Sequence, residues 1–392
     1  MNSGEIQVEC LKGLSDQECA DTVARGFAVV SNQYEPLDIN KLPAYLPSLP
    51  PPQVEEYQVY QKLTRLKNTK STLPIDIPNK LRNEVAVELA YPLTLIINRC
   101  LSEGRFPTLW KQEWVSPVPK VPEPQVLTDL RKVACTSDYN KVLESFTKDW
   151  ILEDIGKKLD ISQFGGKKGI GPEHMVVAMV DRILKLLDNN STRSAVIKTG
   201  VDWDSAFERG DPTITVQKFL AMGLRPSLIP LVSNYLSGRQ CIVKFNSAES
   251  NLTHLTGGFP QGSLIGQDAF LVTSDDCADH VDEDDKYRYI DDLEILELVR
   301  LTGVLLEYDV ASHVPSDVGT HQQFLPPSSC STQTKLDQIS LWASSNLMKL
   351  NSKKSNYMVF FKEPGGFCNK ASSRVLDNRT KGGLQSAGGM DN

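Results

Sequence analysis

The chain carries the sequence Tyr289-Ile290-Asp291-Asp292, in which two adjacent acids follow an aromatic and an apolar residue. The mostly apolar run Leu293-Glu294-Ile295-Leu296 comes directly after it. Strand-forming residues on both sides of a two-Asp step predict a β-hairpin with the acids at its tip. Because side chains alternate along a strand, we expect Tyr289 and Asp291 to share one face.

Adjacent carboxylates at a hairpin tip repel each other, and a hard cation between them relieves that repulsion. Mg²⁺ or Mn²⁺ held by one or two carboxylates and the phosphates of a substrate is the usual arrangement for phosphoryl transfer. An ordinary polar turn is the alternative interpretation, because Asp-Asp pairs are also common in turns. The hairpin alone does not decide between a metal site and a turn.

A second acidic stretch, Val201-Asp202-Trp203-Asp204-Ser205-Ala206-Phe207, follows the apolar run Ala195-Val196-Ile197. We expect Asp202 to stand at the end of a strand, facing a neighbouring hairpin. Between the two acidic stretches, Gly257–Gly266 contains four glycines, a proline and a glutamine. This composition indicates a close approach of the backbone to another group.

The order of these segments is more specific than any one of them. An Asp, then Pro-Gln-Gly, then aromatic-x-Asp-Asp resembles motifs A, B and C of reverse transcriptases, and most of all those of non-LTR (LINE-type) retrotransposons. The segment Leu350-Asn351-Ser352-Lys353-Lys354-Ser355 resembles motif D. The resemblance extends from about Tyr57 to Phe361.

The resemblance implies an α+β right-hand polymerase fold with fingers and palm subdomains, the palm being an antiparallel sheet backed by helices. It implies template-directed addition of a deoxynucleotide to a primer 3′-OH, with an RNA or DNA template as partner and no membrane. We expect a linker-like segment at 1–55, a fingers-like part at 56–192, a palm with motifs A to D at 193–362, and a disordered or truncated tail at 363–392.

The resemblance also implies the residues that hold two Mg²⁺ or Mn²⁺ ions. Asp202 and Asp291 would bridge both ions, Asp292 is the second acid of motif C, and the carbonyl of Trp203 would complete the coordination. Asp204 matches no required ligand, and capping a turn is its alternative role. Two metal ions suit an in-line displacement at phosphorus.

The resemblance also implies roles for other residues in nucleotide binding. Trp110–Lys120 resembles the family's fingers strand, which we expect at a sheet edge because of its prolines. Leu130-Arg131-Lys132 stands where the family has Tyr-Arg-Pro-Ile, so Lys132 replaces proline. Lys120 and Arg131 would hold the triphosphate, because guanidinium binds phosphate bidentately and lysine acts as a point charge. Surface solvation is the alternative for both.

Three residues of motifs A and B are implied to contact the nucleotide. Phe207 would lie under the sugar and exclude a 2′-OH, with an ordinary core phenylalanine as the alternative. Gln261, followed by Gly262, would touch the sugar or base.

The motif D lysine Lys354 would donate a proton to the leaving pyrophosphate, because a general acid must lie within reach of its leaving group. Lys353 is an equally placed alternative in the sequence.

Two further segments resemble the family before motif A. Asn140-Lys141-Val142-Leu143-Glu144 resembles its Lys-Val-Leu-Glu segment, and Gln163-Phe164-Gly165-Gly166-Lys167-Lys168-Gly169 resembles its Gln-Phe-Gly-Phe-Arg segment. In the latter, three glycines beside two lysines predict a backbone that can approach a template or primer phosphate.

The chain has 392 residues, of which 40% are hydrophobic and 23% charged, an ordinary globular composition. The longest apolar run, around 93–97, is too short to span a membrane, and the N-terminus lacks the pattern of a secretory signal. Eight cysteines are scattered without a C-x-x-C pair. This distribution argues against zinc and predicts reduced thiols in an intracellular protein of the cytoplasm or nucleus.

The net charge of −7 is unusual for a nucleic-acid-binding protein, which commonly shows a basic surface. Much of the acid lies in Asp275–Asp285, whereas Lys67–Lys70, Lys120–Lys132 and Gly165–Lys168 are basic. Two other functions stay open from the sequence. One is a catalytically inactive polymerase remnant that at most binds nucleic acid, and the other is a two-metal nuclease or phosphatase.

Overall fold

The computed structural model describes residues 6–42, 50–66, 73–189, 194–300, 331–363 and 366–370. The basic segment Lys67–Lys70 lies outside these described residues. None of the described helices combines the length and the apolar character that crossing a lipid bilayer requires.

The described residues form helices and strands in an α+β arrangement. The helices are, in chain order, α1 Asp16–Ser31, α2 Glu56–Thr64, α3 Asn79–Glu84, α4 Ala86–Glu103, α5 Asp138–Ile155, α6 Pro172–Asp188, α7 Pro212–Ala221, α8 Ile229–Leu236, α9 Leu264–Ser274 and α10 Thr332–Ser345. The strands are β1 Gln112–Pro119, β2 Leu130–Cys135, β3 Ser194–Val201, β4 Arg239–Phe245, β5 Ala248–Glu249, β6 Thr253–Leu255, β7 Lys286–Tyr289, β8 Asp292–Arg300, β9 Asn356–Glu363 and β10 Gly366–Lys370.

The chain divides into two compact units, and each is built from two separate stretches of sequence. The first unit comprises Met1–Leu159 and Ser205–Asp275, and the second comprises Asp160–Asp204 and Asp276–Asn392. Strand pairing brings each pair of stretches together, so the units do not follow the linear boundaries expected from the sequence. Those boundaries stay a prediction for the fingers and palm.

The first unit contains a mixed sheet in the order β2-β1-β4-β5, with β6 also paired to β4. Strands β1 and β4 run parallel, and the other pairs are antiparallel. Helix α1 packs on this sheet, with Val23 and Ala24 buried against Cys241 and Val243. The sheet and α1 therefore share one hydrophobic core.

The segment before residue 55, where we expected a linker, contains the ordered helix α1. The Ser15 hydroxyl accepts a hydrogen bond from the Glu18 amide, and the Glu18 carboxylate accepts one from the Ser15 amide. Such a capping box satisfies amides that a helix start leaves unpaired. The buried residues of α1 are mostly small, so they carry little hydrophobic signal in the sequence and allow the helix to lie close to the sheet.

Strand β1, which we expected at a sheet edge, is internal over part of its length. Residues Gln112–Val115 pair with β4, whereas Pro117 and Pro119 lie in the half that pairs only with β2. Proline has no amide hydrogen to donate, so it is tolerated where no second neighbour needs one. The prolines therefore indicate an edge position for only the half of β1 that pairs with β2 alone.

A buried ionic cluster explains why a lysine can replace the family's proline at position 132. Lys132 Nζ lies 2.8 Å from Glu113 Oε2, and Arg239 Nη2 lies 2.6 Å from Glu113 Oε1. Burial by itself would raise the pKa of Glu113, but the charges of Lys132 and Arg239 outweigh it and lower that pKa. Glu113 is therefore an ionised partner of two buried cations.

Replacing Glu113 by glutamine is expected to destabilise the first unit by about 3–5 kcal/mol, because both buried cations lose their counter-ion. Urea unfolding followed by circular dichroism measures this loss. Glu103→Gln is the control, since its ion pair with Arg99 lies on the surface and is worth less than about 0.5 kcal/mol. Equal midpoints for the two variants would contradict the assigned role.

The second unit contains an antiparallel sheet in the order β10-β9-β3-β8-β7. Helix α6 packs on it through the stripe Met175, Met179, Ile183 and Leu187, which contacts sheet residues such as Val196. Strand β10 lies within the tail that we expected to be disordered or truncated, and the boundary of that tail stays a prediction. Residues 371–392 of that tail lie outside the described residues.

Strands β7 and β8 form the hairpin that the sequence predicts. Tyr289 pairs with Asp292, so Ile290 and Asp291 form a two-residue loop. The prediction of acids at a hairpin tip is confirmed. Asp291 belongs to the loop, where strand alternation does not apply, so the expectation that Tyr289 and Asp291 share a face stays a prediction.

Candidate active site at the open end of the second-unit sheet

Two predicted acids lie at the same end of neighbouring strands. Strand β3 pairs with β8 so that Gly200 is opposite Glu294 and Val201 is opposite Leu293. Continuing this register by one residue places Asp202 opposite Asp292. Both residues line a small pocket of about 90 Å³, together with Glu294 and Lys354.

Gly200 lines the pocket without contributing a side chain. A Cβ atom added to Gly200 would lie 3.1 Å from Glu294 Oε2. Further along the same face, Val196 and Leu296 are covered by α6, whereas the end of the sheet near the acids stays open. The pocket is lined by the carboxylates Asp202, Asp292 and Glu294 and does not include Val196 or Leu296.

The carboxylates of the site are electrostatically coupled. Burial raises the pKa of Asp202, and the charge of Asp292 raises it further, while Lys354 opposes both effects. Burial likewise raises the pKa of Asp291, and the charges of Asp292 and Asp202 add to it. The charge of Asp292 therefore disfavours ionisation of both Asp202 and Asp291, and a bound cation would relieve this repulsion.

The motif D segment forms hydrogen bonds with both backbone polar groups of Asp202. The Asp202 amide donates to Ser355 Oγ at 3.1 Å, and the Asn351 amide donates to the Asp202 carbonyl at 2.8 Å. The Asn351 side chain also bonds to the Asp202 carboxylate and lowers its pKa. Of the two adjacent lysines, Lys354 lines the pocket and Lys353 is not among its lining residues.

Trp203 is positioned with its backbone polar groups pointing away from the motif D segment. It forms an isolated antiparallel bridge with Leu350. The flanking bonds of that bridge run from the Asp204 amide to the Lys349 carbonyl and from Asn351 to Asp202. In this pattern the facing residues do not bond to each other, so the Trp203 carbonyl is directed away from Leu350.

Asp204 has a different environment from Asp202. Its Oδ2 lies 3.5 Å from Lys349 Nζ at the surface. It is absent from the lining of the pocket that holds Asp202 and Asp292. Of the two acids in the Asp-Trp-Asp sequence, Asp202 therefore lines the pocket and Asp204 does not.

The donor atoms of the pocket suit a hard cation. Asp202 Oδ2 is buried without a hydrogen-bond partner among the described residues. Carboxylate oxygens are the ligands that Mg²⁺ and Mn²⁺ prefer. As the described side chains stand, no three His, Cys, Asp or Glu residues are gathered closely enough to hold an ion by themselves. The acids fit part of a coordination shell, which substrate phosphates and water commonly complete.

The residues predicted to contact the nucleotide lie in the first unit. The Phe207 ring stacks on Phe270 of α9 with centroids 5.0 Å apart. The Phe207 carbonyl accepts a hydrogen bond of 2.7 Å from the amide of Phe259, the residue before the Pro-Gln-Gly sequence. The end of motif A and the start of motif B are therefore directly bonded.

The Pro-Gln-Gly loop is held in place by two glutamates. Gln261 Nε2 donates to Glu208 Oε1 at 2.7 Å. Glu144 is buried and accepts hydrogen bonds from the amides of Leu264 and Ile265 at the start of α9. Burial raises the pKa of Glu144. The sequence pointed to Glu144 through its motif, but not to its role as an anchor of this loop.

Gly262 has a φ of +87°, a conformation that glycine adopts without strain. A Cβ atom there would lie 3.3 Å from the carbonyl oxygen of Ala134 in β2. The glycine therefore serves both the turn and the close approach of the loop to a strand.

Lys120 and Arg131 lie near the end of the β1–β2 hairpin where the chain passes from β1 to β2. Arg131 pairs opposite Val118, and the Lys120 amide, directly after β1, donates to the Asp129 carbonyl. Arg131 is exposed, and Lys120 Nζ donates to the Thr128 carbonyl at 2.8 Å. A pair of exposed cations is compatible with phosphate binding and with simple solvation.

Comparison with known proteins relates the chain to retrotransposon polymerases. It is 25% identical over 230 residues to the RNA-directed DNA polymerase from mobile element jockey of Drosophila melanogaster, covering 55% of this chain and 25% of that protein. It is 24% identical over 253 residues to the probable RNA-directed DNA polymerase from transposon BS of the same species, covering 64% and 27%. These similarities support a reverse transcriptase domain in this chain.

A third relative is the putative 115 kDa protein in type-1 retrotransposable element R1DM of Drosophila melanogaster, 24% identical over 251 residues, or 64% of this chain and 23% of that protein. No protein-family model matches the chain. The chain thus spans about a quarter of the length of these curated relatives.

Several residues around the candidate site escaped the sequence interpretation. Ser355 and Asn351 hold Asp202, and Lys198 Nζ lies 2.6 Å from Glu294 Oε2 on the face that carries the acids. Asn351 belongs to the motif D segment, which was a usable signal. Lys198 follows the strand alternation that leads to Asp202, but only the pairing of β3 with β8 shows its partner.

Proposed function

We propose that the chain acts as an RNA-directed DNA polymerase of a retrotransposon, transferring a nucleotide from a deoxynucleoside triphosphate to a primer 3′-OH on an RNA or DNA template. The observation that supports this most directly is the meeting of Asp202 and Asp292 at the open end of the sheet, with Asp202 Oδ2 unpartnered. Nucleotidyl transfer needs such a cluster of anionic oxygens beside the reacting phosphate.

The proposed metal ligands are Asp202, Asp291, Asp292 and the carbonyl of Trp203. When bound, Mg²⁺ or Mn²⁺ would supply charge neutralisation at the triphosphate and a lower pKa for the primer hydroxyl. The coupling of the three carboxylates supports this assignment. Trp203 fits because its carbonyl is directed away from the motif D segment.

The remaining residues would bind and orient the substrate. Lys354, at the rim of the pocket, would protonate the leaving pyrophosphate, and its place among the lining residues favours it over Lys353. Phe207 would exclude a ribose 2′-OH. Gln261 and Gly262 would contact the sugar or base, and Lys120 and Arg131 would hold the triphosphate.

The antiparallel sheet of the second unit, backed by α6, would form part of a palm in a right-hand fold. The fingers would include the hairpin that carries Lys120 and Arg131. This assignment is supported by the order of the strands and by the motifs that they carry.

The test is primer extension on poly(rA)–oligo(dT) with Mg²⁺ or Mn²⁺. We expect the wild type to extend the primer and Asp291→Ala to lose extension with a thermal unfolding curve close to that of the wild type. The loss of extension is expected because Asp291 is a proposed metal ligand. The unfolding curve is expected to change little because Asp291 lies in a solvent-exposed loop. An Asp291→Ala variant that extends at the wild-type rate would show that the site is wrongly assigned.

The second candidate function is a catalytically inactive domain that binds nucleic acid. The lack of three gathered metal-binding side chains among the described residues favours it. It predicts binding to a primer–template that weakens steeply with salt, without extension by the folded wild type. The same samples therefore distinguish the two functions.

A further inference from the structure

The outer edge of the acidic hairpin is covered by the segment 160–165, here called the edge segment. Strand β7 is the last strand of its sheet, so its outer edge has backbone groups to satisfy. The Arg288 amide donates to the Ser162 carbonyl at 3.0 Å, and the Phe164 amide donates to the Arg288 carbonyl at 2.8 Å. The edge segment thus extends the sheet by one short parallel bridge beside the turn.

Side chains fasten the edge segment to β7 as well. Lys286 Nζ lies 2.7 Å from Asp160 Oδ2, and both side chains are largely shielded from solvent. The ring of Phe164 stacks on Tyr287, with centroids 6.3 Å apart. These contacts hold the edge segment on the strand that leads into the acidic turn.

Gln163 connects the edge segment to the turn itself. Its side chain is 1% exposed, and its Oε1 accepts hydrogen bonds from the amides of Gly165 at 2.9 Å and Ile290 at 3.0 Å. Its Nε2 is buried without a hydrogen-bond partner among the described residues. The side-chain amide of Gln163 therefore acts as an acceptor, and its oxygen binds the amide of Ile290, the first residue of the two-residue loop.

The turn needs an external support because its conformation is unfavourable for its residues. Ile290 has a φ of +58°, which a β-branched side chain rarely adopts and which a hairpin loop usually assigns to glycine. Such strain persists only where neighbouring contacts enforce it. The bond from Ile290 to Gln163 is a contact of this kind.

Gly165 allows the close approach that this bond requires. A Cβ atom on it would lie 2.5 Å from the Ile290 amide nitrogen and 2.7 Å from Ile290 Cγ1. We expected the backbone of this glycine-rich segment to approach a phosphate. At Gly165 the backbone approaches the acidic turn, and the approach of this segment to a phosphate stays a prediction.

We propose that Gln163 is a positioning residue, whose side-chain oxygen holds the Ile290 amide so that the turn presents Asp291 beside Asp202 and Asp292. Gly165 provides the space for this contact. The catalytic consequence rests on the proposed polymerase function, whereas the support of the turn depends only on the contacts described above.

The experiment uses Gln163→Met in the full chain, because methionine keeps the length and volume of glutamine but removes the oxygen acceptor. Hydrogen exchange measured by mass spectrometry on peptides covering 286–295 is expected to become at least about tenfold faster. The kcat for primer extension is expected to fall by about ten- to a hundredfold with the KM for deoxynucleotide little changed, since misplacement of a reacting group affects the chemical step.

The matched control is Gln333→Met on α10, whose side chain is exposed and bonds to Asp337. It is expected to exchange and extend as the wild type does. Unchanged exchange at 286–295 in a folded Gln163→Met protein would overturn the proposal, as would faster exchange with an unchanged kcat. A folded wild type without extension would refute the polymerase function and with it the catalytic role of Gln163, while the exchange result would still decide whether Gln163 holds the turn.

Discussion

Asp202→Asn is expected to lower the rate of primer extension by at least about a thousandfold, which corresponds to a loss of about 4 kcal/mol of transition-state stabilisation. The carboxylate of Asp202 stands opposite Asp292, and its Oδ2 has no protein partner among the described residues. Asparagine keeps the shape but lacks the charge that would hold a cation. Steady-state extension with Mg²⁺ and with Mn²⁺ measures the effect.

The same variant is expected to unfold at a higher temperature than the wild type in metal-free buffer at neutral pH. Burial and the charge of Asp292 raise the pKa of Asp202 above the model-peptide value of 3.8. A carboxyl group with a raised pKa in the folded state favours folding only while it is protonated, and this contribution disappears as the pH rises through the folded pKa. The difference between variant and wild type should therefore be small near pH 4 and larger at pH 7.5.

Thermal unfolding with EDTA and with Mn²⁺ provides the measurement. A cation that binds only the folded state should stabilise the wild type and leave Asp202→Asn unchanged. Asp204→Asn is the matched control, because Asp204 neighbours Asp202 in sequence but is absent from the lining of the pocket. If Asp204→Asn lost extension to the same degree as Asp202→Asn, the pocket would not define the site.

Lys354→Met is expected to lower kcat by about a hundredfold or more, the usual range for loss of a general acid. Methionine keeps an unbranched side chain but cannot donate a proton to pyrophosphate. Lys354 lines the pocket with Asp202 and Asp292. Single-turnover extension measures the chemical step without the contribution of product release.

The neighbouring Lys353→Met variant is the control for the change of charge, since both lysines are exposed in the same turn. It is expected to extend at a rate close to that of the wild type. A deoxynucleotide analogue with a less basic leaving group should reduce the defect of Lys354→Met, because that leaving group needs less protonation. Equal defects in the two variants, or no response to the analogue, would argue against the general-acid role.

Local features of the fold were predictable because they depend on residues close in sequence. The Asp291-Asp292 step between strand-forming residues predicted the hairpin, and the apolar run before Asp202 predicted β3. Helix α1 was missed because its buried face consists largely of small residues. Strand β10 was missed because pairing with β9, rather than its own apolar pattern, forms it.

The sequence by itself determined which acids the chain possesses, their order, and the strands that end or begin at them. The tertiary structure alone decided that Asp202 lies opposite Asp292, since this depends on the register between β3 and β8, which are distant in sequence. A shift of one residue would turn every side chain of a strand to the other face, and the burial of residues such as Val196 under α6 selects one register. Only the tertiary contacts show that Gly200 lines a pocket and that Gln163 accepts a hydrogen bond from the Ile290 amide.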